Sequence, residues 1–164
     1  ISNVYRGPYA ESESESRVYR QLWAKYKPKH YLNIHTFASR QIWWADTKYA
    51  NEPNKTEDKQ YFLEVYNKYK QLAIQRGQPY YAVSNDGGTG NYGMSPYYYH
   101  RIYSWSIEID TITPPYSEIP IVLDNWLPFF ITLSQESETS LITPTMGIIL
   151  IGLGVFLVYL IAKS

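Results

Sequence analysis

Two stretches of the chain, residues 11–27 and 58–76, carry apolar side chains at every third or fourth position. This spacing places the apolar residues on one helix face and predicts two amphipathic helices. Acidic residues fill the first turn of the first stretch and basic residues its last, which suits the helix dipole. Pro28 and Gly77 follow the two stretches and are typical of helix ends.

Shorter runs between and after these helices have the apolar alternation of strands. Four strands are predicted, at residues 30–36, 41–45, 80–84 and 102–109. Two further helices are predicted, at residues 95–101 and 118–133, and prolines within the second are expected to bend it or delay its start. Helices thus alternate with strands, which predicts an α/β layered domain.

The end of the sequence has a different pattern. Residues 141–162 carry no charge, and at about 1.5 Å per residue a helix of this length would span roughly 33 Å, close to a bilayer core. We therefore predict a transmembrane helix at 141–162 after a polar linker at 134–140. Lys163 in a two-residue tail favours a cytoplasmic C-terminus, with the N-terminal domain outside the cell.

The composition excludes some functions. The chain has 18 tyrosines, no cysteine and a formal net charge of zero. Without cysteine there is no disulfide scaffold or thiolate metal site, and without a basic patch we expect no nucleic-acid partner. Asn54 begins the N-K-T sequence of an N-glycosylation site, which fits a loop on the exterior side.

Histidine is scarce, with three in the chain at positions 30, 35 and 100. A catalytic zinc needs three protein ligands and leaves a fourth position for water. Neither H-x-x-H nor H-x-x-E occurs in the sequence. Spacing alone therefore predicts no metal site, and by that criterion His35 fits a structural histidine at a strand end.

Two motifs resemble those of a known enzyme family. Residues 5–13 read Y-R-G-P-Y-A-E-S-E, and the first predicted strand then leads to His35. The last predicted strand ends in W-S-I-E-I, which contains Glu108. These motifs, and the order of elements between them, resemble the C-terminal half of the catalytic domain of zinc carboxypeptidases of the funnelin type. The resemblance covers residues 5–133.

The resemblance implies a fold, a cofactor and two active-site residues. The fold would be half of a mixed, mostly parallel sheet with flanking helices, in a domain of residues 1–133. The cofactor would be zinc, with His35 as its third protein ligand. Glu108 would be the catalytic general base, which takes a proton from the attacking water and passes it to the leaving amine.

Other positions depart from the family pattern. Thr36 and Phe37 follow the ligand where the family usually has a serine and a tyrosine that contact substrate, and Phe37 lacks the hydroxyl. The family's mobile tyrosine falls on Asp86 by ungapped counting, while Tyr81 and Tyr92 lie nearby. Thr36, Phe37 and Tyr92 are the candidate substrate-binding residues.

The family's H-x-x-E ligand pair and the arginines that bind the substrate carboxylate have no counterpart in this sequence. We expect an N-terminal carboxypeptidase half to supply them, either as part of a cleaved precursor or as a separate subunit. The predicted function is a membrane-anchored zinc metallocarboxypeptidase that acts on peptides at the exterior face. One alternative is a catalytically inactive, carboxypeptidase-like subunit of a membrane or cell-surface complex. Another is a single-span accessory subunit of unrelated fold.

Overall fold

Helices and strands alternate along the chain, which confirms the α/β class predicted from the hydrophobic pattern. The computed structural model describes residues 12–35, 40–45, 55–84, 94–110, 114–138, 148–151 and 157–159. Its helices are α1 (Ser14–Tyr26), α2 (Lys55–Gln75), α3 (Ser95–His100) and α4 (Ile119–Glu138), the last preceded by a 3-10 turn at Tyr116–Glu118. Its strands are β1 (His30–His35), β2 (Gln41–Trp44), β3 (Ala82–Ser84), β4 (Tyr103–Glu108), β5 (Ile148–Ile151) and β6 (Leu157–Tyr159).

The strands form one mixed sheet in the order β3-β2-β4-β1-β5-β6. β1 runs parallel to β4 and to β5, and β2 runs parallel to β3. The β2–β4 pair is antiparallel, as is the β5–β6 pair. The four strands β1 to β4 therefore match the mixed, mostly parallel sheet that was expected, and β1 and β4 lie side by side at its centre.

The main core lies between one face of the sheet and helices α2 and α4. On β1 and β4 the alternate residues Leu32, Ile34, Trp105 and Ile107 are buried in this core. The helices contribute Phe62, Val65, Tyr69 and Ala73 from α2 and Val122, Trp126, Phe129 and Leu133 from α4. Most of these side chains are aromatic or branched, and they pack edge to face, as between Phe62 and Trp105 at a centroid separation of 4.9 Å.

A smaller cluster lies on the opposite face, where Trp23 of α1 packs on Tyr31 and Ile102. Because side chains alternate along a strand, Tyr31 points away from the main core, as do Asn33 and His35. The equivalent positions of β4 hold serine, serine and Glu108. The two central strands therefore share a polar face that ends in His35 and Glu108.

Helices α1 and α2 end just before the proline and the glycine that predicted their ends. Gly77, just beyond α2, has a φ of +65°, a backbone conformation that glycine adopts without steric cost. α1 ends one residue earlier than predicted, because Lys27 takes a φ of +42° and donates its N–H to the carbonyl of Trp23. Buried Pro28 then prevents the helix from continuing.

The linker predicted at 134–140 is wrong over residues 134–138, which form the last turns of α4. Glu136 packs inward, whereas Gln135 remains exposed on the outer side of the helix. Glu136 is buried and accepts hydrogen bonds from Lys68 (2.6 Å) and Tyr61 (3.4 Å). The helix continues through this short polar run because the buried Glu136 carboxylate has hydrogen-bond partners on α2.

The structure also departs from the transmembrane helix predicted at 141–162. The residues described within this segment form the short strands β5 and β6, and β5 pairs with β1 at Asn33 and Ile34. A short apolar run rich in isoleucine and valine is compatible with a strand as well as with a helix, and hydrophobicity alone does not separate the two. Among the described residues, no helix combines the length and apolar character needed to cross a bilayer.

Candidate active site

His35 and Glu108 end the two central strands and are register partners in the parallel β1–β4 pair. The main-chain N–H of Ile109 donates to the carbonyl oxygen of His35 over 2.8 Å, which closes the ladder just beyond this pair. In register on parallel strands, the two side chains leave the same face of the sheet. Two residues that are distant in the sequence thus come together at the C-terminal edge, where α/β folds place their sites.

The environment of Glu108 suits a group that handles a proton. The residue is half-buried, and its Oε2 atom is shielded from solvent. Glu108 lies between two strands, with His35 on one side and Gln41 of β2 on the other. Electrostatic interactions are stronger in such a partly desolvated position than in water.

His30, at the opposite end of β1, is a structural histidine. Trp105 donates its indole N–H to His30 Nδ1 (3.2 Å), so the neutral ring carries its proton on Nε2 and donates it to the hydroxyl of Tyr61 (3.1 Å). Burial, helped by the charge of Lys29, lowers the pKa of His30 to about 3. With both ring nitrogens engaged, His30 is not available to a metal, which leaves His35 as the ligand candidate on this strand.

An ion pair that the sequence did not indicate lies at the same edge of the sheet. Arg40, the residue before β2, donates from Nε (3.2 Å) and from a terminal nitrogen (3.0 Å) to Oδ1 of Asp110. Asp110 is buried and lies two residues beyond Glu108. The pairing depends on the antiparallel arrangement of β2 and β4, which brings the start of β2 to the end of β4.

Tyr81, one of the two alternatives for the mobile tyrosine, is held in place. Its N–H donates to the hydroxyl of Tyr69 (2.9 Å), and its carbonyl accepts from Tyr66 (3.2 Å). Its ring packs on Trp126 at a centroid separation of 4.5 Å. Burial raises the pKa of Tyr81, with Arg40 lowering it and Asp110 raising it to lesser degrees. These contacts describe a packed residue beside the ion pair rather than a mobile one.

The remaining candidates lie outside the described residues. These are Thr36, Phe37, Tyr92 and Asn54, together with residues 5–11 of the first motif. Their predicted roles therefore stay predictions.

The described residues fit part of a zinc site but not a complete one. His35 offers an imidazole nitrogen at a strand end, and Glu108 lies beside it as a carboxylate that need not bind the metal. Within the described ranges, however, no three histidine, aspartate or glutamate residues are grouped so that they could hold an ion. A zinc ion at His35 would therefore need further ligands from elsewhere.

Comparison with known proteins identifies the family. A search of the curated proteins gives no match. The family model described as zinc carboxypeptidase matches residues 1–149, a stretch that contains His35, Glu108 and the strands β1 to β4. Since this match covers most of the sequence, the chain belongs to the zinc carboxypeptidase family.

Proposed function

We propose that this chain forms one side of the active site of a zinc metallocarboxypeptidase of the funnelin type, which removes C-terminal residues from peptides. One observation carries the proposal: His35 and Glu108 are register partners at the C-terminal edge of the sheet, in a chain of the zinc carboxypeptidase family. A ligand and a base on adjacent strands are held at a fixed separation by the sheet itself.

The two residues would divide the chemistry between them. Zinc, when bound, would polarise the scissile carbonyl and make water a better nucleophile near neutral pH. His35 would supply one ligand through a ring nitrogen. Glu108 would accept a proton from the attacking water on its carboxylate and deliver it to the nitrogen of the leaving amino acid. Partial burial of the Glu108 carboxylate would strengthen its interaction with the attacking water and with the leaving amine.

The other ligands and the groups that bind the substrate's carboxylate would come from an N-terminal carboxypeptidase half. It would be either part of a cleaved precursor or a separate subunit. The support for this step is that no three potential ligands are grouped around an ion site within the described part of the chain. A three-ligand site must then be completed by residues beyond those described.

Matched peptides test the reaction class. The assembled protein, containing both halves, is incubated with peptides that end in a free carboxylate and with the same peptides amidated at that end. We expect single residues to be released from the free peptides alone, activity to be lost after a zinc chelator and to return with added zinc. Release from amidated peptides at an equal rate, or full activity in the chelator, would contradict the proposal.

A second candidate function is a catalytically inactive, carboxypeptidase-like subunit of a surface complex. Its support is the incomplete zinc site among the described residues and the missing hydroxyl at Phe37. The same peptide experiment separates the two functions. An assembled protein that holds no zinc and cleaves neither peptide set would favour the inactive subunit.

We also propose that residues 141–162 attach the protein to a membrane, with the folded domain outside the cell and the C-terminus in the cytoplasm. The support is the uncharged apolar sequence, long enough in helical form to cross a bilayer. Extraction of cell membranes with alkaline carbonate tests the attachment, and we expect the protein to stay in the pellet. Release to the supernatant would contradict it.

A further inference from the structure

The backbone segment that follows Glu108 is held from three directions. Its first N–H, at Ile109, is bonded to His35 on β1. The carbonyl of Ile109 accepts the indole N–H of Trp126 on α4 over 3.0 Å. The next side chain, Asp110, accepts two hydrogen bonds from Arg40 at the start of β2. The contacts come from both neighbouring strands and from the helix layer.

The Arg40–Asp110 contact has the features of a fixed ion pair. The Asp110 side chain is 5% exposed, whereas that of Arg40 is 49% exposed. Both donors of Arg40 converge on one oxygen of the carboxylate, and both hydrogen bonds are charge-assisted. A buried carboxylate without its cation is costly, so the pair resists opening. It therefore joins the start of β2 to the end of β4 across 70 residues of sequence.

The ion pair lies next to the two proposed active-site residues. Gln41, the residue after Arg40, is the register partner of Glu108, and Asp110 lies two residues past Glu108. On the other side of β4, the bond from Ile109 holds His35. Any slip of the 108–110 segment would change the separation of the base from the ligand, since both are carried by the backbone that these contacts hold.

We propose that Arg40 and Asp110 are a positioning pair, which keeps Glu108 and His35 in register during the reaction. The inference rests on the proposed peptidase function. The effect of the positioning pair on the backbone of residues 108–110 can, however, be measured without activity. Neither residue touches the reacting atoms in this account. Their effect is on the alignment of residues that do, and small misalignments of a base cost rate rather than binding.

The test removes the pair without leaving a buried charge. In the assembled protein, Arg40→Met and Asp110→Leu are combined, because a buried ion pair replaced by apolar residues often keeps its stability. The control is Lys68→Met with Glu136→Leu. That pair is similar in burial, with side chains 59% and 10% exposed, but lies near His30 at the far end of β1. Asp110→Asn, which keeps an acceptor for Arg40, serves as the conservative variant.

Three quantities are measured: kcat, KM and amide hydrogen exchange of the peptide covering residues 103–110. For the double variant we expect kcat to fall on the order of tenfold or more with KM unchanged, and exchange to become faster. The Lys68/Glu136 control should keep kcat, although it also disturbs the hydrogen bond from Tyr61. Asp110→Asn should recover most of the lost kcat.

Different failures are distinguishable. A folded double variant with wild-type kcat overturns the positioning role, and so does an equal loss of kcat in the control. If the double variant does not fold, the single change Arg40→Gln, at the half-exposed partner, replaces it in the same comparison. If the wild-type protein has no activity that depends on Glu108, the proposed function fails. Hydrogen exchange of residues 103–110 that is the same in the double variant as in wild type overturns the positioning role by itself.

Discussion

At the scale of single residues, the two histidines of β1 show how environment decides role. His30 has both ring nitrogens hydrogen-bonded, to Trp105 and to Tyr61, inside the aromatic core. His35 lies five residues away on the polar face, next to Glu108. A histidine therefore has a structural role at one end of the strand and is a candidate metal ligand at the other.

The role of His35 predicts a loss of zinc. In the assembled protein, His35→Ala should lower bound zinc by about tenfold or more at limiting metal, because one of three protein ligands is removed. The control is His100→Gln, a change in α3 near Trp23, which should leave the zinc content as it is. Metal analysis after dialysis measures both. Equal zinc in the two variants would show that His35 does not bind the metal.

The burial of His30 predicts a pH dependence of stability. Its folded pKa of about 3 lies below the unfolded value of about 6.5. Between these values the unfolded chain binds one proton more than the folded chain, so stability is complete above pH 6.5 and is lost as the pH falls toward 3. The loss is about 1.4 kcal/mol per pH unit.

Urea unfolding of wild type and His30→Gln at pH 6.5, 5.5 and 4.5 checks this slope. The difference in unfolding free energy between the two proteins should shrink on acidification, because the glutamine of the variant does not titrate while Lys29, Tyr61 and Glu136 are common to both. A difference that stays constant from pH 6.5 to 4.5 would mean that His30 titrates normally in the folded protein.

At the scale of elements, the periodic segments were predictable and their ends mostly so. The amphipathic pattern of 58–76 predicted α2, whose observed range is Lys55–Gln75. The alternation in 102–109 predicted β4, in which buried Trp105 and Ile107 alternate with two serines and Glu108 on the polar face. Local patterns suffice where each element packs through one regular face.

The C-terminal elements show where local pattern was insufficient. Polar residues 134–138 form helix because Glu136 meets Lys68 and Tyr61, and no pattern in the sequence indicates that meeting. Strand order is equally hidden, since β2 pairs antiparallel with β4 rather than with β1, its neighbour in sequence. Long-range partners of this kind are decided by tertiary packing, which is why Arg40 and Asp110 were missed.

A buried carboxylate connects α2 with α3 and β4, and its removal is expected to lower the stability of the fold. Asp58, buried in the first turns of α2, accepts hydrogen bonds from Tyr97 (2.6 Å) and Tyr103 (3.2 Å) and pairs with Arg101 (2.8 Å). Burial and then the nearby carboxylate raise the pKa of Tyr103 to about 12, which keeps its hydroxyl protonated as a donor.

Asp58→Ala should therefore lower the free energy of unfolding by on the order of 3 kcal/mol, since Arg101 and two tyrosines lose their acceptor. Glu57→Gln, an exposed change one residue earlier, is the control and should have little effect. Urea unfolding at neutral pH compares them. Similar midpoints for the two variants would show that this buried carboxylate does not hold the elements together.

At the scale of the whole molecule, the two faces of the sheet have different roles. One face carries the aromatic core with α2 and α4, and it gives the fold its stability. The other face carries the polar column of β1 and β4 that ends in His35 and Glu108. Because the strands are parallel, both residues reach the same edge, and that edge is where the proposed N-terminal half would complete the site.

Substitution of Glu108 tests whether this residue is the general base of a carboxypeptidase site. In the assembled protein with equal bound zinc, kcat for release of a C-terminal residue is compared between wild type, Glu108→Gln and the exposed control Glu118→Gln. We expect Glu108→Gln to lower kcat by about 10²–10⁴-fold, the usual contribution of a general base, and Glu118→Gln to leave it unchanged. Full activity of Glu108→Gln would contradict the assignment of this strand pair as one side of a carboxypeptidase site.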